Sequence, residues 1–161
     1  MRISRLSSLV GVALVFVPAL PAADDAAKPL TVELKSFSFN APKGKEDLLK
    51  YDEGEEKLCF YINGTAEATV NVVTDGDYEI AMKASGDPAL KEGAKFKVAV
   101  DGKQCGKETE TSDREPKEYT FAMSLKAGEH KLTIQFTNDV YKEGEYDRNL
   151  YVHEVSLKKA K

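Results

Sequence analysis

No tryptophan occurs among the 161 residues, and histidine and cysteine occur only twice each. Scarce histidine removes the commonest general base from most of the chain. His130 opens a strand-like run with the parity of Leu132, Ile134 and Phe136, and His153 shares parity with Tyr151, Val155 and Leu157. Both positions suit satisfied core or edge histidines better than catalytic ones. No serine sits in a nucleophile-elbow pattern, and no glycine-rich phosphate loop is present. An excess of basic residues is also missing. The formal net charge is −4, which argues against nucleic acid or an anionic membrane surface as the main partner. Carboxylates are plentiful, but most fall in turn-like runs such as Asp52–Glu56 and Glu108–Glu115, where they read as solvated.

The first residues read as a leader. Arg2 and Arg5 precede the apolar run Leu9–Val17, and Pro18–Ala23 supplies small residues for cleavage. The run is too short to span a bilayer, and no cysteine near the cleavage region offers a lipid anchor. The expected division is a signal peptide over 1–23, a disordered lead-in over 24–29 and one domain over 30–161. A mature chain of about 140 residues suits a single β-sandwich. It is expected to be exported, without membrane insertion after leader removal, and monomeric. In that compartment Cys59 and Cys105 can form a disulfide, worth about 4 kcal/mol in the chain-entropy model. Two buried thiols are the alternative, and zinc-type ligation lacks partners at suitable spacing.

Hydrophobic residues recur with period two. Ala68, Val70 and Val72 alternate with Glu67, Thr69 and Asn71, and Tyr78, Ile80, Met82 and Ala84 repeat the pattern. Phe96, Val98 and Val100 do so before Asp101-Gly102, a two-residue hairpin signal that sets Val98 opposite Cys105 and turns that cysteine inward. Tyr119, Phe121, Met123 and Leu125 line a fourth face, and Leu132, Ile134 and Phe136 a fifth. Further strands are expected near 30–36, 57–62, 103–109 and 150–158. No amphipathic helix of useful length appears. The pattern predicts an all-β fold, an antiparallel two-sheet β-sandwich.

One segment, Asn138–Val152, carries a different chemistry. A strand ends at Asn138, seven residues separate Asp139 from Asp147, and a new strand starts at Leu150. Two carboxylates and two amides, Asn138 and Asn149, are thereby held at facing strand ends. Calcium takes about six to eight oxygen ligands of this kind. From the residues alone, a polar loop with turn-capping side chains and a paired Arg148 is the favoured reading over a metal site.

The run Asn138-Asp139 followed by Asp147-Arg148-Asn149-Leu150-Tyr151-Val152 resembles the signature of calcium-dependent xylan-binding carbohydrate-binding modules, the jelly-roll families numbered 36 and 60. The turns Tyr61–Gly64, Gly76–Tyr78, Val100–Lys103 and Lys126–His130 fall in the family's order. The resemblance implies a jelly roll in which two vicinal sugar hydroxyls complete the shell of a bound Ca²⁺. Carried over by position, Asp139 and Asp147 would be carboxylate ligands, with the Tyr146 carbonyl and the Asn149 side chain beside them. Asn138 and Arg148 would brace the loop or touch the sugar, and Tyr141 or Tyr146 would stack on a pyranose ring or pack the loop. The sequence departs from the signature where His153-Glu154 follows Val152, and Glu33 alone remains of a Glu-x-Glu used for a second ion. The expected function is non-catalytic binding of a polysaccharide or oligosaccharide of xylan type. A scaffold domain that binds protein, and a small glycoside-cleaving enzyme, are the competing readings.

Overall fold

The computed structural model describes residues 28–160, so the expected leader and most of the lead-in over 24–29 lie outside the described residues. Two antiparallel six-stranded sheets make up most of the fold. The first runs in the order β10 (Lys117–Leu125), β6 (Gly76–Gly86), β14 (Leu150–Lys159), β4 (Lys57–Phe60) and β3 (Leu49–Asp52), with β1 (Leu30–Thr31) also paired to β14. The second runs β2 (Ser38–Asn40), β5 (Gly64–Val72), β11 (Gly128–Phe136), β7 (Lys95–Val100) and β8 (Lys103–Gln104), with β9 (Thr109–Glu110) on β7. A separate two-stranded hairpin, β12 (Tyr141–Lys142) and β13 (Tyr146–Asp147), rises from the connection before β14.

The inner faces hold the period-two residues. Ala66, Ala68, Val70 and Val72 of β5 are buried with Ile80 and Met82 of β6, Val98 and Val100 of β7, and Ile134 and Phe136 of β11, in one apolar cluster. Edge-on aromatic contacts knit the sheets across it, Phe39 with Phe60 and Phe96 with Phe121. This is the two-sheet sandwich that the alternation predicts. On β10, Phe121 and Leu125 are buried while Tyr119 and Met123 are only partly so, because an edge strand has cover on one side.

Several expectations change in detail. The strand expected over 30–36 is two residues long and gives way to a 3-10 turn at Leu34–Ser36. The strand expected over 103–109 is broken into β8 and β9, with Gly106 between them in the left-handed region. The parity of β14 reverses at a bulge between Val152 and Glu154. Leu150 and Val152 face the core before it, and Val155 and Leu157 after it. His153 is the extra residue that a bulge inserts. Its Nε2 lies 2.9 Å from Ser85 Oγ, and burial, then Lys57 and Lys83, hold its pKa below the ordinary histidine value.

The expected Cys59–Cys105 disulfide is absent, and the topology explains why. Leu58 and Phe60 point into the core, so Cys59 between them points to the outer face of its sheet, where it is buried. Cys105 points inward, as its pairing predicts, with Sγ 3.2 Å from Met123 Sδ on β10. β6 and β14 separate β10 from β4, a lateral gap of about 14 Å. Bridged cysteines need their Cβ atoms about 4 Å apart. Denatured without reductant, the protein should therefore take up iodoacetamide at both cysteines; a mass showing neither modified would contradict this arrangement.

His130 ties two turns together. Asp101 and Gly102 both take positive φ, the geometry of a two-residue hairpin turn. Asp101 Oδ1 accepts the Lys131 N–H at 2.8 Å, and Oδ2 lies 2.7 Å from His130 Nδ1. His130 Nε2 meets the Lys126 carbonyl at 2.8 Å. A ring flanked by two acceptors donates from both nitrogens only as the imidazolium. Its hydrogen bond to Asp101 accordingly raises the His130 pKa. A raised folded-state value stabilises the fold at low pH and loses that contribution as pH rises through it. Melting temperature should decline between about pH 6 and 8, and His130→Gln should remove the decline; an unchanged slope in that variant would discount the pair.

Candidate functional site

Four connections meet at one end of the sandwich: residues 41–48, 61–63, 87–94 and 137–149. Main-chain bonds fasten them pairwise, Tyr61 N to Leu48 O at 2.9 Å and Asp87 N to Asn149 O at 3.0 Å. The Asn63 side chain reaches the last connection, its Oδ1 accepting the Asp139 N–H at 2.7 Å. The adjoining Gly64 has no room for a side chain, since a Cβ there would lie 2.5 Å from Leu49 and 2.9 Å from the Asn40 carbonyl.

Arg148 holds the centre of this end and is only 4% exposed. Its guanidinium donates to the main-chain carbonyls of Ala89, Glu92 (3.3 Å) and Asn138 (2.7 Å), and Nη2 lies 3.5 Å from the Glu92 carboxylate. Asn138 is committed as well: Oδ1 accepts the Lys95 N–H at 2.6 Å and Nδ2 donates to the Gly93 carbonyl at 3.0 Å. These bonds hold both side chains against the main chain of the neighbouring connections. The 87–94 connection they brace turns at Leu90-Lys91, both at positive φ.

The tyrosines separate by register. Tyr141 pairs directly with Asp147, and Lys142 with Tyr146. Directly opposed residues share a face, so the Tyr141 ring and the Asp147 carboxylate stand on one side of the hairpin and the Tyr146 ring on the other. Tyr141 is 65% exposed.

Two buried side-chain oxygens among the described residues have no hydrogen-bond partner: Oδ1 of Asp139 and Oδ1 of Asn149. The Asn149 amide cannot be turned over to relieve this. Its Nδ2 donates to Asp147 Oδ2 at 3.1 Å and Asp87 Oδ2 at 3.3 Å, and a carboxylate only accepts. Asp87 was not singled out from the sequence. Its Oδ2 also accepts from the Tyr151 hydroxyl at 2.8 Å. Burial raises the pKa of Asp139, and the neighbouring Asp147 carboxylate raises it further; Lys45 and Arg148 partly oppose them. Leaving a buried polar oxygen unpaired costs about 1–3 kcal/mol.

Unpaired oxygens backed by two mutually repelling carboxylates make a donor set that a hard cation fits. Among the described residues no three or more His, Cys, Asp and Glu side chains cluster at metal-binding separation. A cation here would thus rest on Asp139, Asp147, the Asn149 amide and main-chain oxygens, leaving coordination positions for water or ligand hydroxyls.

A family model described as a calcium-dependent, xylan-binding carbohydrate-binding module, family 60, matches residues 79–161. Among solved structures the chain is similar to the family 36 domain of a multidomain xylanase from the hindgut metagenome of Trinervitermes trinervoides. That match has 12% identity and a TM-score of 0.64, covering 83% of this chain and 99% of the other. It is similar to a family 35 module from Clostridium thermocellum at 12% identity and a TM-score of 0.57, covering 83% and 100%. A third, a family 36 module solved with calcium and xylotriose, matches at 13% identity and 0.58, covering 81% and 98%. At these identities the likeness is one of fold. No curated protein matches the sequence.

The raised Asp139 pKa makes a prediction for the metal-free domain. The folded state holds this proton more tightly than the unfolded state, so stability falls as pH rises from about 4, and the deficit persists at neutral pH. In EDTA at pH 7, Asp139→Asn should raise the melting temperature by about 2–4 °C. A lower melting temperature would mean that the protein itself satisfies the carboxylate.

Proposed function

From the premise that the chain belongs to the calcium-dependent, xylan-binding carbohydrate-binding modules of family 60, we propose that it is an exported, monomeric, non-catalytic protein that binds xylan-type polysaccharide through calcium. The observation that carries the reading is the pair of unpaired buried oxygens on Asp139 and Asn149, beside Asp147. Asp139, Asp147, the Asn149 side-chain oxygen and the Tyr146 carbonyl would hold the ion. When bound, calcium would offer coordination positions to a pair of vicinal sugar hydroxyls. Specificity then rests on presentation of a free diol.

The remaining work is done by the chain's own residues. Arg148 and Asn138 fix the two connections against each other from behind. Asn63 anchors the Asp139 main chain, and Asp87 holds the Asn149 amide nitrogen, which leaves the amide oxygen uncommitted. Tyr141 shares its face with Asp147 and is the ring placed to lie against a pyranose, whereas Tyr146 stands on the far face. The composition of residues 1–23 supports export.

Affinity electrophoresis in xylan gels tests the proposal. Migration should be retarded with calcium and normal in EDTA. Asp147→Ala should weaken binding by more than about 100-fold while the domain still melts cooperatively, and Tyr141→Ala by about 10-fold. Retardation that survives EDTA unchanged would overturn the calcium mechanism, and normal migration of the calcium-loaded protein would redirect the search to a protein partner.

A further inference from the structure

Arginine is rare in this chain. Arg2 and Arg5 lie in the expected leader, and only Arg114 and Arg148 follow, against lysine at every other basic position. Both arginines stand at the same end of the sandwich. Arg148 is enclosed and fully engaged; Arg114 is the opposite case. It sits in the connection between β9 and β10, with its side chain 74% exposed and Nε 3.0 Å from Asp87 Oδ1. Among the described residues its guanidinium makes no aligned hydrogen bond, so its planar fork faces solvent.

The turn that carries Arg114 is well fixed. Asp113 accepts the Glu115 N–H at 2.8 Å and pairs with Lys117 at 2.9 Å, and its carbonyl accepts the Gly86 N–H at 3.2 Å. Asp87 in turn does not need Arg114 for its hydrogen bonding, because Tyr151 and Asn149 both donate to it. An exposed ion pair of this kind adds little stability, about 0–1 kcal/mol. The contacts run from Asp147 through Asn149 and Asp87 to Arg114. A cationic fork is thereby set at the same end of the sandwich as the sugar site, joined to Asp147 through the Asn149 and Asp87 side chains.

Lysine would serve as a plain counter-charge for Asp87. Arginine differs in offering two parallel N–H donors that match a carboxylate. We propose that Arg114 is a specificity-determining residue that reads an acidic substituent, the carboxylate of a uronic acid, on the polysaccharide bound at the Asp139–Asp147 site. The inference rests on the sugar-binding reading above and narrows its ligand to acid-bearing chains.

Calorimetric titration of the calcium-loaded protein tests it with three xylo-oligosaccharides of equal backbone length: unsubstituted, carrying one glucuronic acid, and carrying one sulfate. The wild type should bind the glucuronic acid form about 10-fold more tightly than the neutral one. In Arg114→Gln the ratio should fall to about one, and about 0.5 M salt should shrink it in the wild type. Neutral binding without any acid preference overturns this inference and leaves the sugar-binding reading standing. A preference that persists in Arg114→Gln also overturns it. Tighter binding of the sulfate form overturns the uronate assignment, and no binding of any of the three overturns both readings.

Discussion

The geometry of the site depends on one buried cation. The Arg148 guanidinium closes three main-chain carbonyls, on Ala89, Glu92 and Asn138, that belong to two connections with no ladder between them. Enclosing a guanidinium is costly unless its donors are met. Here they are met by carbonyls, supplemented at the edge by the Glu92 carboxylate. The consequence is directional. Asp147 and Asn149 flank Arg148 in sequence and are linked to each other by the Asn149 Nδ2 bond. Fixing the arginine therefore fixes where its two neighbours present their oxygens. Lysine would not reproduce it, because the three carbonyls are met from three separate nitrogens, Nε, Nη1 and Nη2, where an ammonium has only one.

The parts of the molecule legible in the sequence are those governed by local rules. Alternation reveals β5, β6, β7, β10 and β11 because an inward residue on a half-buried strand is followed by an outward one. Asp101-Gly102 reveals its hairpin because few pairs accept positive φ twice. The segment Asn138–Val152 stands out as a concentration of oxygen-bearing side chains. The structure brings Asp139, Asp147 and Asn149 of that segment together, and places Asn138 and Arg148 behind them.

What the sequence hides is set by distance along the chain. The bulge at His153 reverses the parity of β14 without any glycine or proline to announce it, so Val152 and Val155 both face the core. The two cysteines look ready to pair until the topology turns Cys59 outward and sets Cys105 against β10, which two strands separate from β4. Short edge strands such as β2 and β3 owe their existence to neighbours and carry little pattern of their own. Asn63 and Asp87 matter to the site only because the topology delivers them to residues more than sixty positions away. A turn-forming Asn or Asp has no local mark that distinguishes capping its own turn from anchoring another.

The same network explains why the site can hold strain without unfolding. An unpaired oxygen on Asp139 or Asn149 would ordinarily relax by rotating the side chain or admitting a neighbouring donor. Asn149 cannot rotate, since both carboxylates facing its nitrogen would then meet an oxygen. Asp139 cannot withdraw, since its main-chain N–H is held by Asn63. The cost therefore stays at the site, where a group that attracts several oxygens at once can offset it. Such an arrangement is preorganised: the penalty for assembling the oxygens has been met by folding, and a ligand that completes them need not meet it again. Among the described residues no third carboxylate joins Asp139 and Asp147 at metal-binding separation; Asp87 stands behind the Asn149 amide nitrogen. Two acids and neutral oxygens would leave a bound divalent cation with open positions and little surplus negative charge around it. A proposed mode in which sugar hydroxyls share the ion requires that condition.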